Sequence, residues 1–149
     1  MEKNFDAIFD FVMKEEGFTS NHPSDPGGKT IWGISSRYFP SVVAELKSLP
    51  PDIAKERAKN FYYNTFWKKL GCNTLPTGMD AVIFDTAVNM GPDDAVICLK
   101  RKTWESAIAQ RLRQHCKKTK TVFLRGIIGN RIADLIDFCC DLVKKEEEN

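Results

Sequence analysis

The chain is predicted to fold as a mainly α protein with one small β-hairpin or loop after its first helix. Three features of its 149 residues carry that expectation. Apolar residues recur at helical spacing, as with Phe5, Ile8, Phe9 and Val12 at i, i+3, i+4 and i+7. The segment ending at Met90 is apolar nearly all round, through Met79, Val82, Ile83, Phe84, Ala87 and Val88, which marks a buried central helix. Between the two, Pro23, Pro26, Gly27, Gly28 and Gly33 crowd into one stretch whose turns leave room for short strands over 29–34.

Taken in order, the first helix carries a carboxylate into the core seam. At about 100° per residue Glu16 falls within roughly 30° of the centre of the apolar stripe, whereas Glu15 lies about 70° to one side. Partial burial and the negative end of a helix dipole both favour a protonated carboxyl, the form from which a general acid acts. The proline- and glycine-rich stretch then presents Asp25 and Thr30 opposite that helix end. Pro40 and Ser41 open a short helical segment over 42–49, stopped by Pro50 and Pro51. Asp52 is placed to cap the next helix, whose stripe is Ile53, Ala54, Ala58 and Phe61. It ends in an aromatic cluster, Phe61, Tyr62, Tyr63, Phe66 and Trp67, which serves either as core or as a stacking surface for sugar rings.

The central helix is expected to open at Pro76 and to end at Gly91 and Pro92. Gly78, Ala81, Asp85 and Asn89 share one of its faces, so Asp85 and Asn89 form either a buried hydrogen-bonded brace or a polar wall for a cleft. A further helix is read from Asp93 through Trp104, another over 106–114, and a last one over 123–143 interrupted or preceded near Gly126 and Gly129. The tail from Lys144 is expected to fray.

Composition narrows the functions. Hydrophobic residues make up 42% and charged ones 28%, ordinary for a globular chain of one domain, here taken as 1–149. A net charge of +2 gives no argument for nucleic acid. No apolar run is long enough for an integral membrane segment, and acidic residues inside the first apolar stretch speak against a cleavable signal peptide. Five cysteines without C-x-x-C spacing read as buried free thiols of a reducing compartment, and no metal or cofactor is expected.

From Glu16 to Ile34 the chain reads E-G-F-T-S-N-H-P-S-D-P-G-G-K-T-I-W-G-I. It resembles, without a gap, the E-G-G-Y-x-N-x-P-x-D-P-G-G-x-T-x-x-G-I signature of glycoside hydrolase family 108, the lysozyme-like N-acetylmuramidases once named secretion-activating proteins. Phe18 and Thr19 depart from it, standing where the family has its second Gly and its aromatic residue. A gapped register would put Glu15 in place of Glu16, but the helical phase agrees with the ungapped one. Further along, F-D-T-A-V-N-M-G-P resembles the family's F-D-x-A-V-N-x-G-P, and Tyr62, Phe66 and Trp67 match Y-x-x-x-Y-W except for the hydroxyl missing at Phe66. Phe123-Leu124, Gly126 and Asn130-Arg131 loosely match F-L-x-G-W-x-N-R, with Ile127 in place of Trp.

The resemblance implies a lysozyme-like helical fold, with about 1–92 as catalytic core and about 93–149 similar to the family's peptidoglycan-binding segment. It implies hydrolysis of the β-1,4 bond between N-acetylmuramic acid and N-acetylglucosamine in bacterial peptidoglycan. Glu16 would protonate the leaving oxygen, with Asp25 and Thr30 handling water or the oxocarbenium-like transition state. Asn89, Asp85, Trp32, Tyr62 and Trp67 would contact substrate. Two rivals are a lytic transglycosylase and a non-catalytic peptidoglycan-binding or secretion-accessory protein. The expected molecule is a monomer that reaches the cell wall after release through a phage holin pore or by another export route.

Overall fold

In the computed structural model, residues 3–17, 19–20 and 30–149 are described, with only the backbone of Thr19 and Ser20. These residues are mainly helical, with eight α-helices and one small three-stranded sheet among them. The chain divides into two compact units, Phe5–Thr65 and Met1–Asn4 with Phe66–Asn149, so the boundary falls inside the aromatic cluster.

The first unit begins with α1 (Phe5–Glu16), which buries Phe5, Ile8, Phe9, Val12 and Met13 as its periodicity requires. Gly17 follows with φ +76, a conformation that suits glycine and stops the helix, and its N–H still reaches the Met13 carbonyl at 3.0 Å. Three two-residue strands make an antiparallel sheet in the order β1 (Thr19–Ser20), β2 (Thr30–Ile31), β3 (Ile34–Ser35). Then come α2 (Pro40–Ser48) and α3 (Pro51–Tyr62). Both start with proline in the first turn, where a missing N–H costs nothing. Asp52 therefore lies within the first turn of α3, and Pro50 takes the capping position expected for it.

Asp6 and Asp10 of α1 pair with Lys59 and Lys55 of α3 at 2.7 and 3.0 Å. Surface pairs like these contribute little; the aromatic rings between the helices do more. Phe9 and Tyr62 lie 5.9 Å apart between ring centroids, Phe61 meets Tyr62 edge-on at 5.6 Å, and Phe5 meets Tyr63 at 5.1 Å. This cluster is core.

The second unit is organised on α4 (Met79–Met90), which packs against α5 (Pro92–Leu99), α6 (Trp104–Lys118) and α8 (Ala133–Glu147). Its residues Ala81 to Ala87 are all buried. The helix opens at Met79, later than Pro76, because Gly78 holds φ +89 and cannot be part of it. A side chain at Gly78 would also meet the Trp104 ring, since an ideal Cβ there lies 2.9 Å from Trp104 Cδ1. Asp80 bonds the N–H groups of Gly78 and Ala81 through one oxygen at 2.9 and 2.8 Å, and its other oxygen accepts from Asn4 at 2.8 Å.

The helix read from Asp93 through Trp104 ends earlier, at Leu99, and Trp104 instead opens the next helix, α6, after a break at 100–103. Thr103 caps α6 by accepting from the Ser106 N–H, while the Ser106 hydroxyl accepts from the Thr103 N–H at 3.2 Å. Near Gly126 and Gly129 the expected interruption is a π-helical stretch, Ile127–Ile132, joining the short α7 (Thr121–Gly126) to α8, which stays helical as far as Glu147. Cys72, Cys98 and Cys139 are buried thiols as expected, whereas Cys116 is exposed and Cys140 half-buried. Burial raises the thiol pKa to about 12 at Cys72 and about 11 at Cys98, which keeps both unreactive.

The charged centre of this unit is Asp85, 0% exposed. One oxygen accepts from Arg111 Nη1 at 2.5 Å and the other from Arg131 Nη2 at 2.8 Å, so the carboxylate ties α4 to α6 and to the π-helical stretch. Arg111 extends the network by donating from Nη2 to Asn89 Oδ1 at 3.0 Å. Burial alone would push the Asp85 carboxyl up, but the two guanidinium groups outweigh it and hold the pKa below the usual range.

Replacing Asp85 with Asn is expected to cost about 3–5 kcal/mol in urea unfolding at neutral pH, because two buried cations lose their counter-charge. A group whose folded pKa lies below its unfolded one stabilises fully above the unfolded value, about pH 4, and loses that contribution as pH falls through the folded one. The gap in stability between the wild type and Asp85→Asn should therefore narrow below about pH 4, and a gap independent of pH would refute the ionised cluster.

Candidate active site

Glu16 is the last residue of α1 and is half-buried. What lies against it is the turn between β2 and β3. Ile31 pairs with Ile34 across a two-residue loop, Trp32-Gly33, in which both residues have positive φ, +54 and +72. Two positive φ angles are what a tight hairpin of matching twist demands. An ideal Cβ on Gly33 would lie 3.4 Å from Glu16 Cβ, 3.6 Å from its Cγ and only 2.7 Å from Tyr62 Oη. Glycine is therefore required here twice over, by conformation and by the closeness of Glu16 and Tyr62.

Trp32 is the unusual partner. A bulky side chain at positive φ is strained by about 1–3 kcal/mol, and such strain concentrates at functional sites. The Tyr62 hydroxyl donates to the Trp32 carbonyl at 2.8 Å, so the peptide of the strained residue is fixed from the core. The Trp32 ring itself is half-buried and sits one residue from the Gly33–Glu16 contact.

Thr30 pairs with Ser20 on one side and Ser35 on the other. Cross-strand partners share a sheet face, so Thr30 and Ser35 present neighbouring hydroxyls, while Ile34, next to Ser35 in sequence, is buried on the opposite face. Ser35 was not a sequence candidate; its only signal was the alternation of the two strands once their register is known. Its Oγ also accepts from the Arg37 N–H at 3.2 Å. Asp25 lies outside the described residues.

The remaining candidates occupy other surroundings. Tyr62 and Trp67 are 2% and 1% exposed, and Trp67 packs edge-on to Phe84 at 5.5 Å. Neither offers a ring face to a sugar in this structure; Tyr62 acts through its hydroxyl. Asp85, with both oxygens committed to arginines, is the buried brace of the two roles its helix face leaves open, and it does not reach a substrate as the family resemblance implied. Asn89, one turn further along α4, is exposed. Because Arg111 carries only donors, the Asn89 oxygen must face it, which turns the amide NH2 outward.

Asn89 also borders a cavity of about 240 Å³ with Asp94, His115, Lys118, Thr119 and Ile127. The His115 ring is buried, with Nδ1 3.0 Å from the Thr119 hydroxyl and Nε2 lacking a hydrogen-bond partner among the described residues. Burial first, then Arg111 and Arg131, lower its pKa, so the imidazole is neutral at physiological pH. Among the described residues, no three His, Cys, Asp or Glu gather where they could hold a metal ion.

A helix-end carboxylate held against a small hairpin, within a mainly helical chain, defines a lysozyme-like protein. More narrowly, the chain belongs to glycoside hydrolase family 108, whose model, Glycosyl hydrolase 108, matches residues 9–91. The structure of SagA from Brucella abortus shares the fold, with a TM-score of 0.70 over 93% of this chain and 95% of that one at 23% sequence identity. Comparison with curated protein sequences gave no match.

Tyr62→Phe keeps the ring packing and removes only the bond to the Trp32 carbonyl, so it is expected to cost about 0.5–1.5 kcal/mol of stability. Gly33→Ala should cost more, since it adds both a clash and backbone strain. Thermal melts of the two variants check the order, and a Gly33→Ala protein as stable as wild type would contradict the turn geometry.

Proposed function

We propose that this family 108 protein is a peptidoglycan hydrolase that cleaves the β-1,4 bond between N-acetylmuramic acid and N-acetylglucosamine, with Glu16 as general acid. The observation that carries the proposal is the contact of Glu16 with the Trp32-Gly33 turn. A flexible surface glutamate would have no reason to sit against a strained, core-anchored turn. Fixed position matters because a general acid has to lie within hydrogen-bond reach of the leaving oxygen.

In this reading the Glu16 proton passes to the glycosidic oxygen as the C–O bond breaks, and charge develops on the ring carbon and ring oxygen of the muramic acid unit. Thr30 and Ser35 supply hydroxyls that position water or sugar, and Asp25 is assigned to the same role on the strength of the sequence motif alone. The half-buried Trp32 offers an apolar surface to a pyranose face. Asn89 donates its outward NH2 to an acetamide carbonyl or ring hydroxyl. The substrate lies in the cell wall, reached after release or export.

Glu16→Gln should abolish lysis of purified peptidoglycan with the fold intact. Retention of more than about a tenth of wild-type activity would exclude the general-acid role, since such catalysis typically contributes about 10²–10⁴-fold. Glu15→Gln should lose little. Reducing muramyl ends among the products mark a hydrolase, and anhydro-muramyl ends a transglycosylase.

Asn89→Ala should lower activity about 10–100-fold, the worth of one or two hydrogen bonds in a dry site. A lowered melting temperature with normal activity per folded molecule would instead make Asn89 only an acceptor for Arg111.

A further inference from the structure

The stretch from Ser106 to Ala133 contains seven Lys or Arg residues and no Asp or Glu. Three of the seven are matched by acids elsewhere: Arg111 and Arg131 by Asp85, and Lys118 by Asp94 at 2.8 Å. The other four, Arg113, Lys117, Lys120 and Arg125, are exposed. Lys120 and Arg125 flank the short α7, and Lys117 lies in the last turn of α6 just before it. No residue of α7 is buried, and Val122 and Phe123 in its first turn are 77% and 59% exposed. Ile128, in the π-helical stretch that follows, is 43% exposed. Single exposed apolar side chains such as Ile128 are commonplace, but Val122 and Phe123 adjoin each other on the circumference of α7 and are flanked there by Lys120 and Arg125, an apolar edge bordered by cations that calls for an occupant.

Charge and apolarity together choose it. A second copy of this chain would set like charges against one another. A water-borne polyanion would answer the lysines and arginines but leave Val122 and Phe123 in water. An anionic lipid bilayer answers both, taking the basic side chains at its headgroups and the apolar ones at the acyl boundary. No helix among the described residues is long and apolar enough to cross a membrane, so the contact is with the surface.

We propose that the α7 corner, with Phe123 and Val122 at its tip and Lys117, Lys120 and Arg125 around them, is a docking surface for anionic phospholipid membranes. The inference is independent of the hydrolase reading and uses none of the residues assigned to it.

The test is co-sedimentation of the full chain with vesicles of phosphatidylcholine alone and with vesicles containing about one-third phosphatidylglycerol. Purified peptidoglycan sacculi form a third arm. Binding is expected to the anionic vesicles only, and to weaken as salt rises. Lys117→Ser/Lys120→Ser should reduce the partition by about tenfold or more, each lysine near such a surface contributing about fivefold. Val122→Ser/Phe123→Ser should reduce it by at least about fivefold, from the loss of apolar insertion. All four positions are exposed, so the melting temperature of either variant should stay at the wild-type value.

Absence of binding to anionic vesicles, or equal binding to neutral ones, overturns the proposal. So does undiminished vesicle binding by Val122→Ser/Phe123→Ser, which would reduce the contact to charge adsorption. Loss of binding to sacculi in both variants, without vesicle binding by the wild type, would make the corner a wall-binding patch and also overturn it.

Discussion

The Asp85 carboxylate is the constraint on which the larger unit depends. A buried charge is costly to desolvate, and the low dielectric around it makes an unsatisfied partner costlier still. Asp85 must therefore hold two guanidinium groups at once, and this can happen only if α4, α6 and the π-helical stretch meet in one register. Apolar residues in place of all three members of the cluster could match its contribution to stability, but would accept many neighbouring registers. The charge cluster accepts one. It also reaches the surface in a controlled way, since Arg111 fixes the oxygen of Asn89 and thereby decides which end of that amide faces outward.

The smaller unit is organised differently, around packing and a backbone turn. Its aromatic rings enclose Tyr62, whose hydroxyl leaves the core to hold the Trp32 carbonyl. The turn it holds has no slack: Gly33 is closed in by Tyr62 Oη on one side and the stem of Glu16 on the other. An acid at a helix terminus would otherwise fray with its last turn. Here the hairpin supplies the missing neighbours.

How much of this the sequence showed depended on the range of each interaction. The placement of Glu16 on the seam followed from a 3.6-residue period, a local property, and α1 ends at that residue. The hairpin was signalled by proline and glycine, although Trp-Gly hides its turn type, which Asn-Gly would have announced. Asp85 was harder. Its helix phase was clear, but its partners lie 26 and 46 residues away, so a brace and a cleft wall looked alike. Tyr62 and Trp67 were ambiguous for a related reason, as aromatic spacing is the same in a core and in a sugar platform. The break before α6 falls earlier than the sequence suggests, because its cap uses Ser106 at the position where Glu or Gln normally gives the signal.

Strain at Trp32 links these points to function. A hairpin needing two residues at positive φ would be more stable with glycine or asparagine at the first of them, and the chain carries tryptophan. Trp32 is only half-buried and is not part of the buried core. The core supplies compensation through Tyr62, whose hydroxyl donates to the Trp32 backbone carbonyl. Under the proposed function, an aromatic residue held at backbone expense one position from the Glu16 contact suits a flat, hydroxyl-rimmed substrate. The strained turn and the helix end are thus coupled: Gly33 closes against the stem of Glu16, and the strained Trp32 precedes it in the same turn.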